Sequence, residues 1–122
     1  MADKATVYVI EDDDAVRDSI HLLIESAGLT PRSYASAASF LRAVPFPSNS
    51  CCLLTDQNMP DMTGLELLQH LRGLGIAVPA IVMTAGTDCP IGSTAERFGA
   101  LLLEKPFRPR LLLDLIETAL GQ

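Results

Sequence analysis

Two hydrophobic periods alternate along the chain. Val7-Tyr8-Val9-Ile10 is an unbroken apolar run of strand length, whereas Val16, Ile20, Leu23 and Ala27 recur at helical spacing and stop at Gly28. Asp13 or Asp14 can cap that helix, because a carboxylate accepts the orphan N–H groups of a first turn. A weak strand is expected over 30–34, weakened by Pro31. A short helix follows, capped by Ser36, with Phe40, Leu41 and Val44 on one face. Residues 45–50 (PFPSNS) read as a loop. The pattern then predicts a strand over 51–55 and a helix over 63–72 with Leu65, Leu68 and Leu71 inward, closed by Gly73 and Gly75. A strand over 80–84 comes next, then a poor helix over 91–98, where Gly92, Ser93 and Thr94 lower the propensity. A short buried strand over 101–103 leads to a helix over 108–120 with Leu111, Leu112, Leu115 and Ile116 on a broad apolar face.

These are five strand–helix pairs. The strands are apolar throughout rather than alternating, as expected when helices cover both faces of a sheet. Strand–helix alternation with right-handed crossovers gives an α/β fold with a doubly wound parallel sheet. At 122 residues the chain fits one domain, 1–122, and 48% hydrophobic residues suffice for a core without disulfides.

Composition narrows the setting. No apolar stretch approaches a membrane span, and no apolar signal segment follows Met1-Ala2-Asp3-Lys4. Cys51 and Cys52 are adjacent in a strand and so point to opposite faces, and Cys89 lies far away. The spacing is wrong for a metal, and buried reduced thiols in a cytoplasmic protein are expected. A net charge of −6 argues against direct nucleic-acid binding, for which Lys105, Arg108 and Arg110 are too few.

The candidate chemistry lies at the strand ends. Parallel sheets bind ligands beyond the carboxyl ends of their strands. Glu11 and Asp12 follow the first strand, Asp56 the third and Lys105 the fifth, while Thr84 ends the fourth. Taken singly these are ordinary caps and surface groups; together they occupy one edge. Carboxylates held close raise one another's pKa, and a divalent cation relieves the repulsion. Oxygen donors with few neutral partners suit Mg²⁺, which leaves room for phosphate. Asp56 then reads as a nucleophile towards phosphorus, Lys105 as a second cation for the phosphoryl oxygens and Thr84 as a hydrogen-bond donor to them.

The segments Val9-Ile10-Glu11-Asp12-Asp13, residues 54–64 (LTDQNMPDMTG), Met83-Thr84-Ala85 and Glu104-Lys105-Pro106-Phe107 resemble those of CheY-like receiver domains of two-component response regulators. Residues 59–68 (MPDMTGLELL) are most similar to the FixJ branch. Four motifs in order, spread over nearly the whole chain, make the resemblance specific. It implies a five-stranded flavodoxin-like sheet of order 2-1-3-4-5. It implies that Asp56 is the phosphoacceptor, loaded from the phosphohistidine of a histidine kinase. Glu11, Asp12 and Asp56 would hold Mg²⁺ by side chains and Asn58 by its backbone carbonyl. Thr84 and Lys105 would bind the phosphoryl group, Ala85 would leave the acceptor accessible, and the Lys105–Pro106 bond would be cis. Gly64 would end the acceptor loop and admit the next helix. Phosphorylation would draw Thr84 inward and remodel the face of the fourth helix, fifth strand and fifth helix for a homodimer or an output domain, here outside these 122 residues, with control of transcription through a helix-turn-helix as the FixJ likeness suggests.

The chain departs from that pattern at the switch position, where Leu102 replaces an aromatic, and in the weak fourth helix. These departures motivate a second reading, a receiver-like interaction module that works without phosphorylation. A third, an aspartyl phosphohydrolase, lacks the second carboxylate two residues after the nucleophile, where Asn58 stands. The chain is therefore expected to signal rather than to act as a metabolic enzyme. Gln57 reads as a surface loop residue. His21 and His70 read as helix-flank residues without a carboxylate or histidine partner at ligand spacing.

Overall fold

The computed structural model describes residues 5–43, 51–85 and 95–121. Five parallel strands form one sheet of order β2-β1-β3-β4-β5: β1 (Thr6–Ile10), β2 (Thr30–Tyr34), β3 (Cys51–Asp56), β4 (Ala80–Thr84) and β5 (Ala100–Glu104). The helices are α1 (Asp14–Ser26), α2 (Ala37–Ala43), α3 (Gly64–Gly73), a helical stretch at 95–97 (α4) and α5 (Pro109–Ala119). The doubly wound α/β fold and its strand order are thus as expected. The expected loop over 45–50, Val44, Cys89 and Gly92-Ser93-Thr94 lie outside the described residues.

Residue parity along each strand divides the core. Val7, Val9, Cys52, Leu54, Ile81, Met83 and Leu103 face α1 and α5, where they meet Ile20, Ile24, Leu112 and Ile116. Tyr8, Ile10, Leu53 and Ala80 face the other way, onto Phe40 of α2 and Leu67, Leu68 and Leu71 of α3. A smaller cluster of Leu65, Val82 and Ala95, with Leu102 packed against it, joins α3 to α4. Cys51 and Cys52 do point to opposite faces, and burial pushes the Cys52 thiol up to about 12. Pro31 is accommodated because β2 is an edge strand.

Local chemistry sets the helix starts. Asp13 caps α1, accepting from Val16 N–H at 3.0 Å. Ser36 accepts from Ser39 N–H at 3.1 Å at the start of α2. Thr63 and Glu66 form a reciprocal capping box on α3, with bonds of 3.1 and 2.8 Å. Two inward assignments need correction. Leu111 is 47% exposed, because the buried stripe of α5 runs through Leu112 and Ile116, and Leu111 precedes it by about 100° of helix. Ala27 is the exposed C-cap of α1, and Ile24 takes the inward place beside Ile20.

Gly64 shows why α3 starts where it does. A Cβ there would sit 2.7 Å from the Asp56 carbonyl oxygen and 3.2 Å from Thr55 Cγ2, so the helix can touch the strand end only without one. Gly73, at the other end of α3, has nothing within 4 Å of the equivalent position. The same substitution should therefore have opposite signs at the two sites. Gly64→Ala should cost about 1–3 kcal/mol through overpacking against backbone, whereas Gly73→Ala should be neutral or gain up to about 1 kcal/mol. Urea unfolding of both variants checks this.

Candidate functional site: an acidic pocket at the carboxyl edge

The alternation that builds the α1/α5 face continues past the strand ends. Glu11 follows Val7 and Val9 by parity, Asp56 follows Cys52 and Leu54, and Lys105 follows Leu103. Register brings them together, because Ile10 pairs with Thr55 and Thr84 pairs with Glu104. Backbone bonds extend the ladder by one step at each end: Glu11 N–H to Tyr34 O at 3.1 Å, Gln57 N–H to Met83 O at 2.8 Å and Lys105 N–H to Thr84 O at 2.7 Å.

The side chains then converge. One carboxylate oxygen from each of Glu11, Asp12 and Asp56 lies within 4.8 Å of the others. Glu11 is 1% exposed and Asp56 5%, while Asp12 is open to solvent. Lys105 Nζ lies 3.0 Å from Glu11 Oε1 and 3.2 Å from Asp56 Oδ1, bridging the two buried carboxylates. The other Glu11 oxygen accepts from Asp13 N–H at 3.1 Å, and Arg17 Nη1 donates to the Glu11 carbonyl at 2.9 Å. Thr84 is buried at the end of β4 and Ala85 beside it is exposed. Asn58 is exposed in the loop after β3. The Lys105–Pro106 peptide is cis. Leu102 is half-buried on the α3/α4 side of β5.

Electrostatics follow from this crowding. Burial pushes the Glu11 carboxyl above its usual range, and the Asp56 charge adds to the rise, while the Asp13 N–H and Lys105 work against it. Burial works to lower the Lys105 ammonium, but the hydrogen bond to Glu11 and the charges of Asp56 and Glu11 outweigh it, and Lys105 titrates above its ordinary value. Lys105 therefore remains a cation at neutral pH.

The structure corrects two of the readings, those of Gln57 and His21. Gln57 is 8% exposed, not a surface residue: parity turns it to the face of Leu53 and Thr55, where its side-chain oxygen accepts from Leu65 N–H at 3.0 Å. His21 does have partners, Glu25 at 3.8 Å from Nε2 and Ser33 Oγ at 2.8 Å from Nδ1. The i,i+4 spacing to Glu25 was the available signal. Asp61, exposed in the same loop as Asn58, accepts from Ala38 N–H of α2 at 3.0 Å, a contact across 23 residues that no local pattern announces. His70 is exposed near the end of α3.

An acidic pocket with an adjacent buried hydroxyl and lysine, at the carboxyl edge of a 2-1-3-4-5 sheet, is the arrangement of a CheY-like domain. The response regulator receiver domain family matches residues 7–117. The transcriptional regulatory protein FixJ of Azorhizobium caulinodans is 42% identical over 123 aligned residues, covering all of this chain and 58% of the relative. A crystal structure of FixJ-N superposes with a TM-score of 0.88 at 36% identity, covering 100% of this chain and 97% of that one. The response regulator StyR gives a TM-score of 0.90 at 37% identity, over 98% of this chain and 60% of that one. The chain belongs to the response regulator receiver domain family. It spans about three-fifths of the length of these longer relatives. Among the described residues, no helix is long and apolar enough to cross a membrane.

The raised Glu11 pKa has a defined sign. A carboxyl whose folded pKa lies above its unfolded value contributes stability below the unfolded value of 4.5 and loses it as pH rises through the folded value. Glutamine does not titrate. The stability of Glu11→Gln relative to the native chain should therefore improve as pH rises from about 4 to 7, in the absence of divalent cations. Urea unfolding at the two pH values reads the change.

Proposed function

We propose that this chain is a phosphoacceptor that takes a phosphoryl group from a histidine kinase onto Asp56 in a Mg²⁺-dependent transfer and signals by changing conformation. The observation that carries this reading is the convergence of the Glu11, Asp12 and Asp56 carboxylates beside Lys105. The donors are hard oxygens, close together and partly buried, with no soft ligand among them, which fits Mg²⁺. Glu11, Asp12 and Asp56 would hold it by side chains and Asn58 by its backbone carbonyl. When bound, the cation supplies charge neutralisation to the transferring group.

The protein's own groups have separable roles. An Asp56 carboxylate oxygen attacks the phosphorus of phosphohistidine, and an O–P bond forms as the N–P bond breaks, its electron pair leaving with the imidazole. Lys105, held as a cation by its two carboxylate neighbours, neutralises charge on the phosphoryl oxygens as it gives up its bond to Asp56. The Thr84 hydroxyl donates to the phosphoryl group once it has arrived. The exposed Ala85 leaves the approach open. Leu102, packed behind on β5, takes the place of the switch aromatic, and the α4, β5 and α5 face carries the change to a homodimer or an output domain. The likeness to the transcriptional regulatory protein FixJ supports control of transcription by the whole protein, and the free thiols of Cys51 and Cys52 support a cytoplasmic setting. The intact pocket disfavours a phosphorylation-independent module.

Two measurements test the proposal. Incubation with a small acyl phosphate and Mg²⁺ should add the mass of one phosphoryl group to the native chain and none to Asp56→Asn; a native chain that gains no mass overturns it. Mg²⁺ at a hundredfold excess over its Kd should stabilise the native fold by about 2.7 kcal/mol, a gain that thermal melts of Asp12→Ala should lack.

A further inference from the structure

An α-helix begins with four N–H groups that lack intrahelical partners. In α3 two of them go to a single residue. Gly64 N–H donates to the Gln57 backbone carbonyl at 3.1 Å, and Leu65 N–H to the Gln57 side-chain oxygen at 3.0 Å. The capping Thr63 takes Glu66 N–H with its hydroxyl and gives its own N–H to the Glu66 carboxylate, and the intrahelical ladder starts with Leu67 N–H on the Thr63 carbonyl. Gln57 also donates its own N–H to Met83 O at 2.8 Å. It is therefore a junction between β3, β4 and α3, and it directly follows Asp56. The contact is buried, with Gln57 and Leu65 each 8% exposed, so water is a poor substitute for the carboxamide. The missing Cβ of Gly64 lets the helix approach close enough for both bonds.

We infer that Gln57 is a positioning residue for the acceptor site, fastening the N-terminus of α3 to the strand end that carries Asp56. Gln57 is the one residue between Asp56, the acceptor, and Asn58, whose carbonyl faces the cation in the reading above, on which this inference rests. With both its backbone and its side chain tied, the link between those two groups has little freedom to rotate. A site of this kind works only if its oxygens are held to within about 0.5 Å of the productive arrangement. Without the carboxamide oxygen, Leu65 N–H has no partner, and the loop can trade its backbone geometry for solvent contact. The α3 end then slips relative to Asp56.

Two substitutions of similar length separate positioning from bulk. Gln57→Met keeps the volume and loses the oxygen; Gln57→Glu keeps the oxygen and adds a charge that a helix N-terminus favours. Isothermal titration with Mg²⁺, well below the melting temperature of each variant, should show Gln57→Met weakened fivefold or more and Gln57→Glu at least as tight as the native chain. Phosphoryl uptake at saturating Mg²⁺ should fall in Gln57→Met and persist in Gln57→Glu. A Gln57→Met protein that melts lower but binds Mg²⁺ within twofold of native overturns the inference, leaving Gln57 a structural cap. If Gln57→Met does not fold, hydrogen exchange at the Leu65 amide of the native chain decides: saturating Mg²⁺ should slow it fivefold or more, and an unchanged rate overturns the inference. A native chain that binds Mg²⁺ but takes no phosphoryl group sinks the phosphoacceptor reading instead, while the Mg²⁺ affinities of the two variants still judge Gln57.

Discussion

The bridge from Lys105 to Glu11 and Asp56 is the contact on which the site's geometry depends. Two carboxylates that are almost wholly buried repel each other, and burial together with the Asp56 charge pushes the Glu11 carboxyl above its usual range. One ammonium at 3.0 and 3.2 Å from the pair holds them in place. The bridge can form only if β1, β3 and β5 end at one edge with matching side-chain parity. The parallel register meets that condition, and the two-sided apolar core carries the cost of a site that is destabilising by itself. The chemistry and the strain thus have one origin, negative oxygens crowded at the end of a sheet.

The loop after β3 is part of the scaffold as much as of the site. Buried backbone groups need partners, and this loop provides them for two helices. Asp61 accepts from the first turn of α2, while Gln57 and Thr63 satisfy the first turn of α3. At the far end of α3, the Arg72 guanidinium donates to Phe98 O from both Nε and Nη2 and to Ile76 O from Nη1. Helix α3 is therefore pinned at one end to the loop after β3 and at the other to the turn before β5. Leu65, whose amide Gln57 holds, belongs to the cluster on which Leu102 packs. Leu102 thus meets the pinned helix through aliphatic packing in a shared cluster.

The chain displayed its architecture openly. Unbroken apolar runs such as Val7–Ile10 and the helical recurrence through Val16 and Ile20 gave the elements. Their alternation gave the parallel sheet, because each crossover must bury a helix on one face. The polar strand ends, Glu11, Asp12, Asp56, Thr84 and Lys105, stood out against those runs. Local pattern does not fix the face on which a single residue lies. Leu111 is apolar yet half exposed, and Gln57 is polar and follows a strand yet is buried.

Sequence alone determined the elements, their order and the set of candidate groups, because hydrophobic period and strand-end chemistry are local properties readable within a few residues. Tertiary structure decided which groups meet and which polar residues are buried. Lys105 and Glu11 lie 94 positions apart and touch only because β-sheet register joins them. Asp61 reaches α2 across 23 positions, and Gln57 earns its burial from a helix that begins seven residues later. Such contacts depend on the packing of elements in three dimensions, and that information is not carried by any stretch of the chain read by itself.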